Sequence, residues 1–287
     1  VERRLAVDAT CYGAQVDPVG LARLEHENMI EALALAGANA AGALIRRADG
    51  VALIASGLPI RLFNQVIVER DDAAPDAVAA AVATTRARGD RFVVNLRVGA
   101  DDRLIPLMEE LGLVRLSDES WMPGMALHPI PTDAVPVPGP GHEIRQVTDE
   151  PGVDDHIRTA AVGFEMPESI LRGIMTPAMA ARPDVAVYVG YTDGQAVTTG
   201  LGVRTGRTIG VYNISTTPGA RRRGYGAAMS TRIAVDAAAA GCDVAILQAS
   251  AMGYPIYERL GYRTVVEYMG YVDSTSLPPV APAPAAD

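Results

Sequence analysis

The chain contains no lysine; all 25 of its basic residues are arginine. That excludes a lysine Schiff base and a lysine general base. It also excludes a Walker phosphate loop, which needs Gly-Lys-Ser/Thr. Cysteine is nearly absent as well. Cys11 and Cys242 lie far apart, with neither a disulfide framework nor metal-ligand spacing, so they read as buried thiols and no metal is expected. No apolar run is long enough to cross a bilayer, and the N-terminus has no charged-then-apolar leader pattern. The chain therefore reads as cytoplasmic, with no membrane partner. Positive charge is in deficit: the net charge is −9, which argues against nucleic acid as a partner.

What remains is the composition of a globular protein, 49% hydrophobic and 21% charged, and 287 residues suffice for one large domain or two ordinary ones. Asp17-Pro18-Val19-Gly20 reads as a turn, followed by helical spacing from Leu21 to Ala36. Val51 to Ala55, Phe63 to Val68 and Phe92 to Val98 read as strands. Asp76 to Arg88 reads as a helix closed by Gly89, and Arg103 to Leu111 as a helix capped by Gly112. Five prolines between His128 and Gly141 read as a semi-rigid linker. Beyond it come a helix from Val153 to Val162 and, from Glu168 to about Ala181, a second helix or a helix pair interrupted by Pro177. A three-strand meander follows (Val185–Tyr191, Ala196–Val203, Thr208–Ser215), then a helix to Ala240, a buried strand Val244–Ala249, a short helix Tyr254–Leu260 and a closing strand Thr264–Val272.

The strand, short helix, Leu-Gly, strand order around Gly112 recurs around Gly261, an offset of 149 residues. We read this as a diverged internal duplication. The domains expected are residues 1–130, a Pro-rich linker at 131–141, residues 142–274, and a disordered Pro/Ala-rich tail at 275–287.

One stretch carries chemistry: Thr216-Thr217-Pro218-Gly219-Ala220-Arg221-Arg222-Arg223-Gly224-Tyr225-Gly226-Ala227. It joins a β-rich run to a long Ala-rich helical pattern. The first turn of such a helix leaves N–H groups unpartnered and carries partial positive charge. Gly224 and Gly226 let an anion approach the backbone, and three arginines add planar cationic forks. The physical reading is a phosphate or pyrophosphate cradle; the alternative is a solvated basic turn. No Gly-x-Gly-x-x-Gly dinucleotide fingerprint stands there.

The stretch resembles the acetyl-CoA loop of the GCN5-related N-acetyltransferases (GNAT), Arg/Gln-x-x-Gly-x-Gly/Ala, through Arg221, Gly224 and Gly226. Downstream, Tyr257-Glu258-Arg259-Leu260-Gly261-Tyr262 is similar to that family's Tyr-Glu-x-Leu-Gly-Phe/Tyr ending. The resemblance covers Val185 to Val272. It implies an α/β (α+β) fold of two GNAT-like domains, each a mixed, mostly antiparallel sheet flanked by helices. In the second domain a splayed strand pair would form the CoA cleft.

It further implies an acetyl-CoA-dependent N-acetyltransferase acting on a primary amine by direct attack. Backbone groups of Ile214, Ser215 and Thr216 would pair with the pantetheine arm, and Arg221, Arg222, Arg223, Gly224, Tyr225, Gly226 and Ala227 would hold the pyrophosphate. Ser250 stands where many members have Asn. Tyr257 matches the proton donor to the leaving thiolate, a role that needs help from the site such as a lowered pKa; packing is its alternative. Glu165 and His156 are candidates near the acceptor, with an ordinary surface role as the alternative for each. Tyr212 and Asn213 alternate across their strand, so one of them should face the cleft. In the first half, Glu69, Asp71, Asp72 and Asp76 stand where the phosphate loop would lie, and Met108 replaces the tyrosine. That half is expected to have lost CoA binding and to shape a wall of the substrate site. The acidic balance favours a cationic acceptor. A non-catalytic acyl-CoA-binding or regulatory module, and an acyltransferase using another acyl chain or an oxygen acceptor, are the competing readings. Oligomeric state is left open.

Overall fold

The computed structural model describes residues 16–117, 122–133 and 141–274. Cys11, the 275–287 tail and most of the Pro-rich stretch lie outside the described residues. The first half contains α1 (Pro18–Ala38), β1 (Leu44–Ala48), β2 (Val51–Ala55), β3 (Asn64–Val68), α2 (Pro75–Arg88), β4 (Val93–Arg97), α3 (Ile105–Glu110), β5 (Leu113–Arg115) and β6 (Gly124–Leu127). The second contains β7 (His142–Val147), α4 (Glu150–Phe164), α5 (Glu168–Ile174), α6 (Pro177–Ala180), β8 (Val185–Thr192), β9 (Gln195–Thr205), β10 (Thr208–Thr216), α7 (Tyr225–Ala239), β11 (Val244–Gln248), α8 (Tyr254–Arg259), β12 (Arg263–Val266) and β13 (Tyr268–Asp273).

The elements form two mixed sheets. One runs β1-β2-β3-β4-β13-β5, the other β12-β6-β11-β10-β9-β8-β7. Each has a single parallel pair, β3 with β4 and β10 with β11, joined by a crossover helix. Aligning the two parallel pairs aligns the rest: α2 with α7, α3 with α8, β5 with β12. The duplication expected from the Leu-Gly repeat is thus present in the topology.

The boundary drawn at the Pro-rich stretch does not divide the sheets. β6 lies in the first half of the sequence but pairs with β11 and β12. β13 lies in the second half but pairs with β4 and β5. The closing strand expected from Thr264 to Val272 is therefore two strands, and one residue, Glu267, carries the chain from one sheet into the other. Each sheet takes an interior strand from the opposite half.

Asp17 does not start a turn. It is the N-cap of α1, its carboxylate accepting from the Gly20 N–H at 2.6 Å, with Pro18 in the first helical turn where a missing N–H costs nothing. α1 runs between the sheets, touching β1 and β2 on one side and β6, β10, β11 and β12 on the other. It therefore buries residues all round, including Glu25, His26 and Asn28 as well as Met29 and Ile30.

Candidate functional site

β10 and β11 are hydrogen-bonded partners only at Thr208–Gly210 and Val244–Ile246. Beyond that they separate, leaving one edge of β10 open up to Thr216. Inside the open stretch the register of β10 against β9 shifts between Tyr212 and Ser215, and Asn213 adopts the left-handed region with φ 52°. The bulge cancels the alternation expected there. Tyr212, Asn213 and Ile214 all face one cavity. The conformation costs free energy for a non-glycine residue, and a local network offsets it. His156 Nδ1 lies 3.0 Å from the Tyr188 carbonyl, which fixes the proton there; Nε2 then accepts from Asn213 Nδ2 at 2.6 Å. Thr199 Oγ1 donates to the Asn213 carbonyl at 2.9 Å. His156 is fully buried, not a surface residue, and burial pushes its pKa down to about 4. It is neutral at working pH and positions the bulge.

The three strand residues expected to meet a pantetheine arm do not all face outward. The Thr217 N–H bonds to the Val197 carbonyl of β9, and the Ser215 carbonyl accepts from Thr198 Oγ1 at 2.6 Å. Strand alternation therefore turns the backbone of Ile214 and Thr216 to the open edge and that of Ser215 to β9.

Past Thr216 the chain makes a short 3₁₀ turn at Pro218–Ala220 and enters α7. Arg222 (φ 64°) and Gly224 (φ 81°) are both left-handed. No side-chain hydrogen bond caps α7, so the N–H groups of its first turn have no capping side chain as partner. A Cβ on Gly226 would sit 3.6 Å from Ile214 Cγ2 and 3.8 Å from Thr216 Oγ1, ordinary contacts. The fold itself does not demand glycine there. The added atom would occupy the space between the helix start and the open strand edge.

The arginines are not equivalent. Arg221 Nη2 donates to the Gly163 carbonyl at 2.9 Å and Nε to the Thr216 carbonyl at 3.2 Å, tying the end of α4 to the end of β10. Arg222 and Arg223 are exposed beside the helix start. The Tyr225 ring turns inward and stacks on His142, centroids 4.1 Å apart, so its side chain is turned away from the loop.

Tyr257, on α8, lines the same cavity as the bulge and packs edge-on to Tyr262. Burial raises its pKa, and a hydrogen bond with Ser230 on α7 opposes that shift. The expected lowering is not found; the phenol stays protonated across the neutral range. Ser250 lines the cavity too, and its Oγ accepts from the Gly253 N–H at 3.2 Å at the entrance to α8. Glu165 is not brought to this place. It is the left-handed C-cap of α4 (φ 54°), exposed and 3.5 Å from Arg221, while its neighbours Phe164 and Met166 line the cavity.

The cavity, of about 280 Å³, is closed on the far side by α1 of the first half and by α5 and Met175–Met179. A wall from the first half was expected; that α1 supplies it through Ala32, Leu33 and Ala36 is new, since contact across halves leaves no local pattern. Behind Gln248, one of the lining residues, lies the buried carboxyl of Glu25, which accepts from Gln248 Nε2 at 2.5 Å. In the first half, the acidic loop after β3 is occupied by its own ion pairs: Glu69 with Arg47, Asp72 with Arg70, Asp71 with Arg97.

Residues 178–265 match the family model for the acetyltransferase (GNAT) domain. This segment is a GNAT domain. It spans the meander, the Arg-Gly loop, α7, β11 and α8, the elements that build the cleft just described. Among solved structures, a GCN5-related N-acetyltransferase from Kribbella flavida shares 17% identity over 91% of this chain and 97% of its own, with a TM-score of 0.66. A tandem GNAT protein from the clavulanic acid biosynthesis pathway shares 13% over 86% and 94%, with a TM-score of 0.56. A functionally unknown conserved protein from Staphylococcus epidermidis shares 14% over 79% and 92%, with a TM-score of 0.54. At these identities the likeness is one of fold, and it extends over both halves: the chain is two GNAT-like domains. No curated protein matches the sequence. Among the described residues no helix is long and apolar enough to cross a membrane.

Proposed function

We propose that the GNAT domain of the second half is an N-acetyltransferase with acetyl-CoA as donor. The observation that carries this reading is the alignment, along one open strand edge, of an uncapped helix start, the Asn213 bulge and the Tyr257 phenol. The outward backbone of Ile214 and Thr216 would pair with the pantetheine arm. The N–H groups from Arg222 to Ala227 would hold the pyrophosphate, with Arg222 and Arg223 adding charge. The bound cosubstrate supplies an electrophilic thioester carbonyl to be attacked by a neutral amine. The bulge, held by His156 and Thr199, interrupts the regular pairing of β10 with β9 at the height of the cavity. Tyr257 Oη holds a proton at the same place, available to a leaving sulfur. No charged side chain lines the cavity among the described residues, so the acceptor brings no counter-ion need with it and sheds its proton to solvent. The first half contributes the α1 wall and no second CoA site.

Calorimetric titration with acetyl-CoA tests this. One site per chain is expected, abolished in Gly224→Glu, which puts a carboxylate into the cradle and a side chain at φ 81°. Tyr257→Phe should retain binding and lose turnover by about 100-fold, the low end for general acid catalysis. Two sites per chain, or no binding by folded protein, would overturn the reading.

A further inference from the structure

The cavity behind the bulge has a polarity of its own. Its polar side chains, Tyr212, Asn213, Gln248, Ser250 and Tyr257, all stand on the side of the splayed strands and α8. The opposite wall, from Ala32, Leu33 and Ala36 of α1 to Ile174, Met175 and Met179, is entirely apolar. Methionines adapt to varied shapes and make favourable contacts with aromatic rings. The volume, about 280 Å³, is nearly twice the ~150 Å³ that holds a benzene molecule in a dry protein cavity.

The cavity adjoins a second one of about 480 Å³ lying between the halves, and the two share Leu33, Leu62, Met122, Gln248 and Ser250. The outer space meets the inner cavity at these shared residues, on the side of α1 and β11. Three large apolar side chains line the inner cavity while themselves exposed: Leu62 at 44%, Met122 at 41% and Phe164 at 42%. Such residues are costly to leave in water and mark a surface that meets an apolar ligand.

We infer that the acyl acceptor is an amine carried on an apolar body, an aryl or alkyl group, that fills this cavity as the neutral base. The inference rests on the transferase reading and corrects the cationic acceptor suggested by net charge. Net charge acts at long range and governs encounter. Selection happens at the wall, where a cationic amine would lose its hydration and meet no carboxylate. The new bond joins the amine nitrogen to the acyl carbon, the carbon–sulfur bond breaks, the sulfur takes a proton and the nitrogen releases one.

The test has three arms. In the first, 1-naphthylamine fluorescence is titrated without CoA, against wild type and Ala36→Phe. Saturable blue-shifted binding to wild type, weakened at least about tenfold by the cavity-filling variant, is expected. Should Ala36→Phe fail to fold, Leu33→Asp, at the half-buried rim, serves in its place. In the second, acetyl transfer is followed for n-alkylamines from ethyl to hexyl, with spermidine as the cationic comparison. The specificity constant should rise about fourfold per methylene, the factor for burying one CH₂, and spermidine should be the poorest acceptor. A flat series, or spermidine as the best acceptor, overturns the inference and leaves the transferase reading standing. In the third, acyl-CoA donors from acetyl to hexanoyl are compared at fixed acceptor. A gain with donor length that Ala36→Phe removes would assign the cavity to the acyl chain and overturn the inference. Failure of acetyl-CoA itself to bind defeats the transferase reading, while the naphthylamine arm still decides whether the cavity takes an apolar amine.

Discussion

At Glu25 the hydrogen-bond count and the burial lead to one protonation state. The carboxyl is fully buried between Gln248 Nε2 at 2.5 Å and the Tyr268 hydroxyl at 2.7 Å. That hydroxyl is also 2.9 Å from His26 Nδ1, and His26 Nε2 lies 2.8 Å from the Val68 carbonyl, where it must donate. Nδ1 is then an acceptor, and one phenolic proton cannot serve both it and a carboxylate. A protonated Glu25 completes the chain: carboxyl to phenol, phenol to imidazole, imidazole to carbonyl. Burial accordingly pushes the Glu25 pKa up to about 7. Between pH 4.5, its ordinary value, and pH 7 the folded state holds a proton the unfolded chain has released. Stability from this group therefore falls as pH rises, by on the order of 3 kcal/mol in all. His26 and His156, both held down to about 4 by burial, act in the opposite sense: their contribution is lost as pH drops below 6.5. Glu25→Gln keeps the donor and acceptor pattern of the neutral acid. It should match wild type in urea midpoint at pH 5 and exceed it at pH 8. Equal midpoints at pH 8 would refute the neutral network.

Strands β6 and β13 decide how the two sheets are built, and β6 depends on close approach to α1. A Cβ on Gly124 would lie 2.4 Å from the Glu25 carboxyl carbon and 2.5 Å from Val266 Cγ1. Neither neighbour can withdraw, because Glu25 is fixed in its network and Val266 is on the adjacent strand. Gly124→Val should lower stability by more than about 2 kcal/mol, read as a drop in thermal midpoint. Gly219→Ala, where no atom lies within 4 Å, is the control and should change little. These strands carry no local signal of their own. Gly124–Leu127 is four residues long with no alternation of burial. The β12–β13 junction is a single residue in a continuous β-rich run, and nothing local marks the change of sheet. By contrast, α2 with its Gly89 cap and β8–β10 with their Asp193-Gly194 and Gly206 turns carry their signals within their own residues.

For the whole molecule, the exchange makes the halves interdependent. Residues 1–130 alone lack β13 between β4 and β5, and residues 142–274 alone lack β6 between β11 and β12. α1 would in addition expose one of its two buried sides. Calorimetry of the intact chain should show one cooperative transition. Each half expressed alone should lack a cooperative melt, and mixing the halves should restore it. Two resolved transitions, or a half that melts cooperatively by itself, would show that the exchanged strands are dispensable.

The sequence by itself determined the Arg-Gly loop at a strand-to-helix junction, the meander that leads to it, the helix behind it, the position of Tyr257 and the existence of a repeat. All of these rest on residues adjacent in the chain, where spacing and turn chemistry act directly. Only the tertiary structure decided the strand exchange, the burial of His156, the bulge at Asn213, the displacement of Glu165 from the site and the apolar wall supplied by α1. Each of those joins residues far apart in sequence, such as Asn28 with Tyr212 at 2.6 Å or Glu25 with Gln248. A contact of that kind is set by how two surfaces pack, which no local pattern records.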